Sequence, residues 1–261
     1  TSGVMSDQGT TGVCPSHVFG KLSDTTVAYK LTGKDDYLQK IRGFLLLFSN
    51  PRDGFPALLH ATHQGMPQEG GALDSVAKAY DIIRGHLTAE ECEQVENALR
   101  MYVDTLIDGL ASGGISNWSI FNQVPGAGCA LLLHDMVRFN QLMYEPTGLV
   151  DQFRYGIMDD GWWYEMSLSY NIHCAENFTR LALIARNFGI DLVNLQFPAA
   201  TSDLIGIRPY ERSSYQGMNF QKYGPQKLNM IGFKSMWDAI LPYPDYRGVM
   251  FGMGDGHEQI V

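Results

Sequence analysis

Tyr170 and His173 stand three residues apart in SLSYNIH, so on a helix they share one face, and each can carry a proton. A tyrosine with an ordinary pKa near 10 works as acid or base only where cationic or hydrogen-bonding neighbours lower that value. Otherwise a helical tyrosine is a core residue with a satisfied hydroxyl. Just upstream, DDGWWYE sets Trp162, Trp163 and Tyr164 in a row before Glu165. If the stretch is helical, Trp162, Tyr164 and Glu165 cannot all face the core. At least one ring then lies exposed or in a cleft, where flat rings stack on the C–H faces of sugars. The alternative is that two rings pack inward and the third is incidental.

A second segment, ISNWSIFNQVPGAG, opens a helical pattern at Asn117. The amide there either caps backbone N–H groups or, with Asn122 or Gln123, points at a ligand carboxylate. Asn117-Trp-Ser and Asn177-Phe-Thr are glycosylation sequons in or beside helical patterns, and we read both as coincidental. In HATHQGMPQEGG, His60, His63, Gln68 and Glu69 fall between helices, where polar groups often serve ligands. The two histidines have no further ligands at a fitting spacing, so no metal site is assigned. The sequence has no phosphate-cradling Gly-rich loop, no G-x-S-x-G elbow and no nucleophilic Cys context.

The elements that must position these groups read as helices. DTTVAYKLTG and KDDYLQKIRGFLLLFSN form a hairpin from Asp24, closed in its middle by Gly33. Residues 51–71 are too rich in Gly and Pro to be an element interior. ALDSVAKAYDIIRGH and AEECEQVENALRMYVDTLIDGLA follow, with Thr88 and Glu91 as a capping box. NWSIFNQVPGAGCALLLHDMVRFNQLMYE reads as one helix despite Pro125, WWYEMSLSYNIHCAENFTRLALIARNFG as another closed by Gly189, and KLNMIGFKSMWDAI as a last one. Strand patterns are nearly absent. The expectation is an all-α chain of serial hairpins, an incomplete (α/α) toroid with its aromatic loops gathered at one mouth. We expect a loop-rich segment 1–23, a toroid 24–240, and an irregular Gly/Pro-rich tail 241–261.

The bulk numbers bound the readings. At 261 residues, 45% hydrophobic and 18% charged, the chain can bury a real core. A formal net charge of −9 argues against nucleic-acid binding, which needs a basic surface. It also sits awkwardly with a polyanionic ligand unless cations such as Arg208, Arg212 and Lys222 gather in one cleft. Cys14, Cys92, Cys129 and Cys174 have no C-x-x-C pairing, and Cys129 and Cys174 read as buried free thiols. No run approaches 18 uncharged apolar residues, so no membrane span is expected. The amino terminus carries no signal-peptide pattern and no initiator Met, which suggests a trimmed chain.

Four stretches in order resemble the helical domain of the heparinase II/III-like and oligoalginate-lyase families of polysaccharide lyases. They are VAYKLTGKDDYLQKIRGFLLLF, LDSVAKAYDIIRGHLTAEE, SNWSIFNQVPGAGCALLLHD, and DGWWYEMSLSYNIHCAENFTRLALIARNFGIDL, together roughly residues 24 to 192. The resemblance implies β-elimination of a uronic-acid polysaccharide of alginate or glycosaminoglycan type. It gives Asn117 the C5 carboxylate and Tyr170 the proton, with His173 or His257 as candidate partner base. Gln68, Glu69, Trp118, Asn122, Trp162, Trp163, Tyr164 and Glu165 would line the sugar groove. Two features depart from the pattern: Trp118 stands where many members have a histidine, and the family's C-terminal β-sandwich has no room here. That β-domain, or a second chain, would be a partner, as would the anionic polysaccharide itself. No cofactor is evident, a structural metal in the β-domain stays open, and the substrate class implies a periplasmic or secreted protein. Two other readings compete: an α/α-barrel glycoside hydrolase using Asp160 and Glu165, and a non-catalytic glycan-binding domain.

Overall fold

The computed structural model describes residues 15–52, 54, 67–110, 114–158, 160–198, 228, 230–245, 247–250 and 259–260; for 15–17, 67–69 and 259–260 only the backbone is described. The described chain is mostly helical. Its helices are α1 (Pro15–Thr32), α2 (Asp35–Phe48), α3 (Pro67–Ile83, continued by a 3-10 turn Arg84–His86), α4 (Ala89–Leu110) and α5 (Asn117–Leu132). Then follow α6 (Met136–Tyr144), α7 (Leu149–Gly156), α8 (Leu168–Arg186) and α9 (Phe233–Ile240). Two short antiparallel pairs, Phe197–Pro198 with Met230–Ile231 and Val249–Met250 with Gln259–Ile260, complete the described elements. Among the described residues no helix is long and apolar enough to cross a membrane.

Local chemistry explains many of the ends. Gly33, at φ 64°, ends α1, and its N–H returns to the Tyr29 carbonyl at 2.7 Å. The expected capping box starts α4: Thr88 N–H donates to Glu91 at 3.0 Å, and Glu91 N–H donates to Thr88 Oγ1 at 3.2 Å. Other boundaries differ from the sequence expectation. α1 begins at Pro15 rather than Asp24, and α3 at Pro67, inside the stretch read as irregular. The single helix expected from Asn117 to Glu145 is two. His134 takes a left-handed φ of 55°, and Asp135 caps α6 by accepting the Arg138 N–H at 3.1 Å. The last long helix begins at Leu168, six residues after Trp162.

The helices form two layers, and their contacts fix the direction within each. Between α1 and α3, Ser23 bonds Ser75 at 3.0 Å and Tyr29 meets His86 at 3.0 Å, so contact positions advance together along both chains. Gly70 of α3 meets Asn122 of α5. Phe121 of α5 touches the His173 ring of α8, and Gly128 faces Ile184. α5 and α8 therefore run parallel, as α1 and α3 do. In the second layer Arg42–Glu91 and Ser49–Gln94 set α2 and α4 parallel, and Asp104–Arg138 joins α4 to α6.

α5 is the hub, packed against α3, α8, α6, α4 and α7. Asn117 to Leu132 contains no charged residue, as a helix buried on most sides requires. Its small residues allow close approach: a Cβ on Gly126 would come within 2.9 Å of Leu106, and one on Gly128 within 3.3 Å of Ile184. Pro125 has no N–H to offer the Phe121 carbonyl one turn back. The Gly70 backbone packs against that carbonyl so closely that a Cβ would fall on it.

Candidate functional site

The parallel directions bring the starts of α3, α5 and α8 to one end of the first layer. Gln68 and Glu69 lie in the first turn of α3, though their side chains fall outside the described residues. Asn117 and Trp118 open α5, while Tyr170 and His173 lie in the first two turns of α8. Segments far apart in sequence thus meet where three helix dipoles present their positive ends.

Asn117 is buried, with 5% of its surface exposed, yet among the described residues its amide has no hydrogen-bond partner. It is not the helix cap. That role belongs to Ser116, whose hydroxyl accepts the Trp118 N–H at 3.1 Å. Phe121, one turn further on the same face, meets the His173 ring edge to face at 5.9 Å. His173 is exposed, and Tyr170 is half-buried and packs against the core. Trp118 is half-buried.

The aromatic stretch expected to line the groove does not lie on a helix. Gly156 to Tyr164 is a tight turn: Ile157 pairs with Trp163, Met158 N–H bonds the Trp162 carbonyl at 2.8 Å, and Tyr164 N–H bonds Gly156 at 2.9 Å. Off a helix, the 100° rule no longer forces a ring outward. Trp162, Trp163 and Tyr164 are all buried, Trp163 completely. Trp163 lies over Gly156, where a Cβ would enter the indole, and its Nε1 donates to Glu165 at 2.7 Å. The Tyr164 hydroxyl donates to the Ile115 carbonyl at 3.1 Å. Trp162 packs with Leu168, Ile240 and Met250. These rings are core, and the sugar-lining role expected of them is corrected.

The remaining expected residues divide. Asn122 is buried and its oxygen accepts the Gly70 N–H at 3.0 Å, so it ties α3 to α5 rather than facing a ligand. Glu165 is half-buried and engaged with Trp163. Asp160 accepts the Trp162 N–H at 3.0 Å within its turn. Gln123 donates to the Thr147 carbonyl at 3.0 Å, leaving a buried oxygen without a partner. His60, His63, Asp159, Arg208, Arg212, Lys222 and His257 lie outside the described residues.

Cys129 and Cys174 are buried free thiols, as expected. Burial pushes both upward, with the Glu165 charge adding to the effect at Cys174, so neither has thiolate character. Among the described residues no group of three or more His, Cys, Asp or Glu is placed to hold a metal ion.

Sequence reasoning missed Phe121, whose spacing of four from Asn117 was the available signal. It also missed Gln152, which is fully buried and bonds Ser116 N–H at 2.9 Å; nothing in LVDQFRYG marks it. No protein-family model matches the chain, and no curated protein does so.

Proposed function

We propose that this chain is the helical domain of a polysaccharide lyase, an incomplete α/α toroid that cleaves a uronic-acid polymer by β-elimination. The observation that carries the reading is the Asn117 amide, buried, without a partner among the described residues, and at the same end of parallel helices as Tyr170 and His173. An amide with two donors and an acceptor not taken up by described groups can hydrogen-bond a ligand carboxylate at that mouth. Serial hairpins with parallel first-layer helices are the arrangement from which such toroids are built.

In the proposed reaction the Asn117 amide hydrogen-bonds the C5 carboxylate and stabilises the charge that develops as the C5 proton leaves. His173, or a base from a partner β-domain, takes that proton. The electron pair forms the C4–C5 double bond, the C4–O bond breaks, and Tyr170 protonates the departing glycosidic oxygen. Three helix N-termini at the mouth give a locally positive field, which lets a chain of net charge −9 attract an anionic sugar. Trp118 and Phe121 take the stacking role first given to Trp162, Trp163 and Tyr164. The substrate class implies a periplasmic or secreted setting.

The test is ultraviolet absorbance over time with alginate, heparan, chondroitin and hyaluronan, because elimination alone leaves a conjugated double bond. A rise with one polymer that disappears in Tyr170→Phe supports the lyase. Binding without any product, unchanged in Tyr170→Phe, identifies a glycan-binding domain instead.

A further inference from the structure

Thr147 has φ 64°, a left-handed backbone that a β-branched residue resists. Its polar groups are all engaged. The N–H donates to Asp151 at 2.9 Å and Oγ1 to the Leu110 carbonyl at 2.5 Å. The carbonyl accepts from Gln123 at 3.0 Å and from Gln152 at 2.9 Å. Gln152 lies on α7 with no exposed surface. Its Nε2 also donates to the Gly114 carbonyl at 2.9 Å, and its Oε1 accepts the Ser116 N–H at 2.9 Å. Ser119 adds a bond to the same Gly114 carbonyl at 3.1 Å. One buried amide thus joins a strained residue to both ends of the segment that leads into α5. Strain held by so many bonds gathers where local geometry matters.

We propose that Gln152 is a positioning residue: its amide fixes Gly114–Ser116 and, through the Ser116 cap, the orientation of the Asn117 amide. The functional half rests on the reading of Asn117 as the carboxylate partner. Gln152 acts only through Asn117. A loose approach segment lets that amide swing from its productive geometry, and small misplacements of this kind cost roughly a hundredfold in rate.

Gln152→Leu removes the three bonds at similar volume. Gln94→Leu is the matched control, since Gln94 bridges Leu46 and Ser49 between α2 and α4, away from the start of α5. Nitrogen-15 relaxation of the Asn117 side-chain amide is measured in each protein, with kcat and KM on the polymer that the wild type cleaves. Gln152→Leu is expected to make that amide mobile and to lower kcat roughly 10- to 100-fold, with KM within about threefold. Gln94→Leu should change neither. If Gln152→Leu does not fold, Gln152→Glu is the milder variant: buried against the Gly114 and Thr147 carbonyls, its carboxyl takes the neutral form, keeps the acceptor for Ser116 and one donated bond, and is expected to mobilise the amide partly. An Asn117 amide as rigid as in the wild type, or an equal loss of kcat in Gln94→Leu, overturns the proposal. A wild type that cleaves no uronate polymer ends the lyase reading alone, and the relaxation measurement still decides the positioning.

Discussion

Asn117–Phe121 and Trp162–Glu165 carry the same kinds of groups, aromatic rings beside amide or carboxyl oxygens, and they have opposite fates. In the second stretch every ring is buried and each polar contact is internal: Trp163 to Glu165, Tyr164 to Ile115, Asp160 to Trp162. In the first, the rings of Trp118 and Phe121 stay half-buried, and the Asn117 amide has no partner among the described residues. Residue types therefore nominate candidates, and the state of their polar atoms separates a site from a core. A group whose hydrogen bonds are already made inside the protein has little left for a ligand.

The comparison breaks most readily at Trp163. Trp163→Ala should destabilise the fold by about 3–5 kcal/mol, read in a denaturant titration; a milder loss would mean that the stretch is not core. Next is Gly70→Ala, whose methyl group meets the Phe121 carbonyl. It should cost about 1–3 kcal/mol and disturb the start of α5, visible as shifts of the Asn117 and Trp118 amide resonances. Trp118→Ala sharpens the other side of the contrast. Calorimetry should show uronate oligosaccharide binding weakened about tenfold, roughly 1.4 kcal/mol, with a smaller loss of stability than Trp163→Ala gives.

The smallest expected effect is electrostatic and lies far from the mouth. Burial raises the Asp135 carboxyl, but its bonds to the Arg138 backbone and guanidinium outweigh this and hold it below the ordinary aspartate range. A depressed folded pKa contributes stability above the unfolded value, near 3.9, and loses it as pH falls through the folded one. The stability gap between wild type and Asp135→Asn should therefore be constant near neutrality and close only in acid. A gap that widens in acid would reverse the assignment.

Much of the helical plan was legible. Thr88 and Glu91 marked the start of α4, Gly33 the end of α1, and the pattern from Asn117 a helix despite Pro125. The spacing of Tyr170 and His173 held because α8 covers both. What escaped the sequence depends on partners distant along the chain. Ser116 and Asn117 are both good caps, and Gln152, 36 residues from Ser116, holds the Ser116 N–H where its hydroxyl caps α5. The break between α5 and α6 sits in an apolar run, LLLHD, where only Asp135 hints at a new helix. Trp162 to Tyr164 left the helix because Ile157 pairs across the turn with Trp163, which Asp160-Gly161 signals only weakly.

The central claim is that proton transfer occurs at the mouth, through Tyr170, and not at the carboxyls beside the buried rings. The most direct test compares Tyr170→Phe with Glu165→Gln, following ultraviolet absorbance and reducing-end formation together on the most responsive uronate polymer. The lyase account predicts that Tyr170→Phe lowers both signals by roughly 10²–10⁴-fold, while Glu165→Gln, with its partner Trp163 still bonded, keeps most of the absorbance rise. Reducing ends that grow without absorbance, lost in Glu165→Gln and kept in Tyr170→Phe, would contradict it and place a hydrolase there.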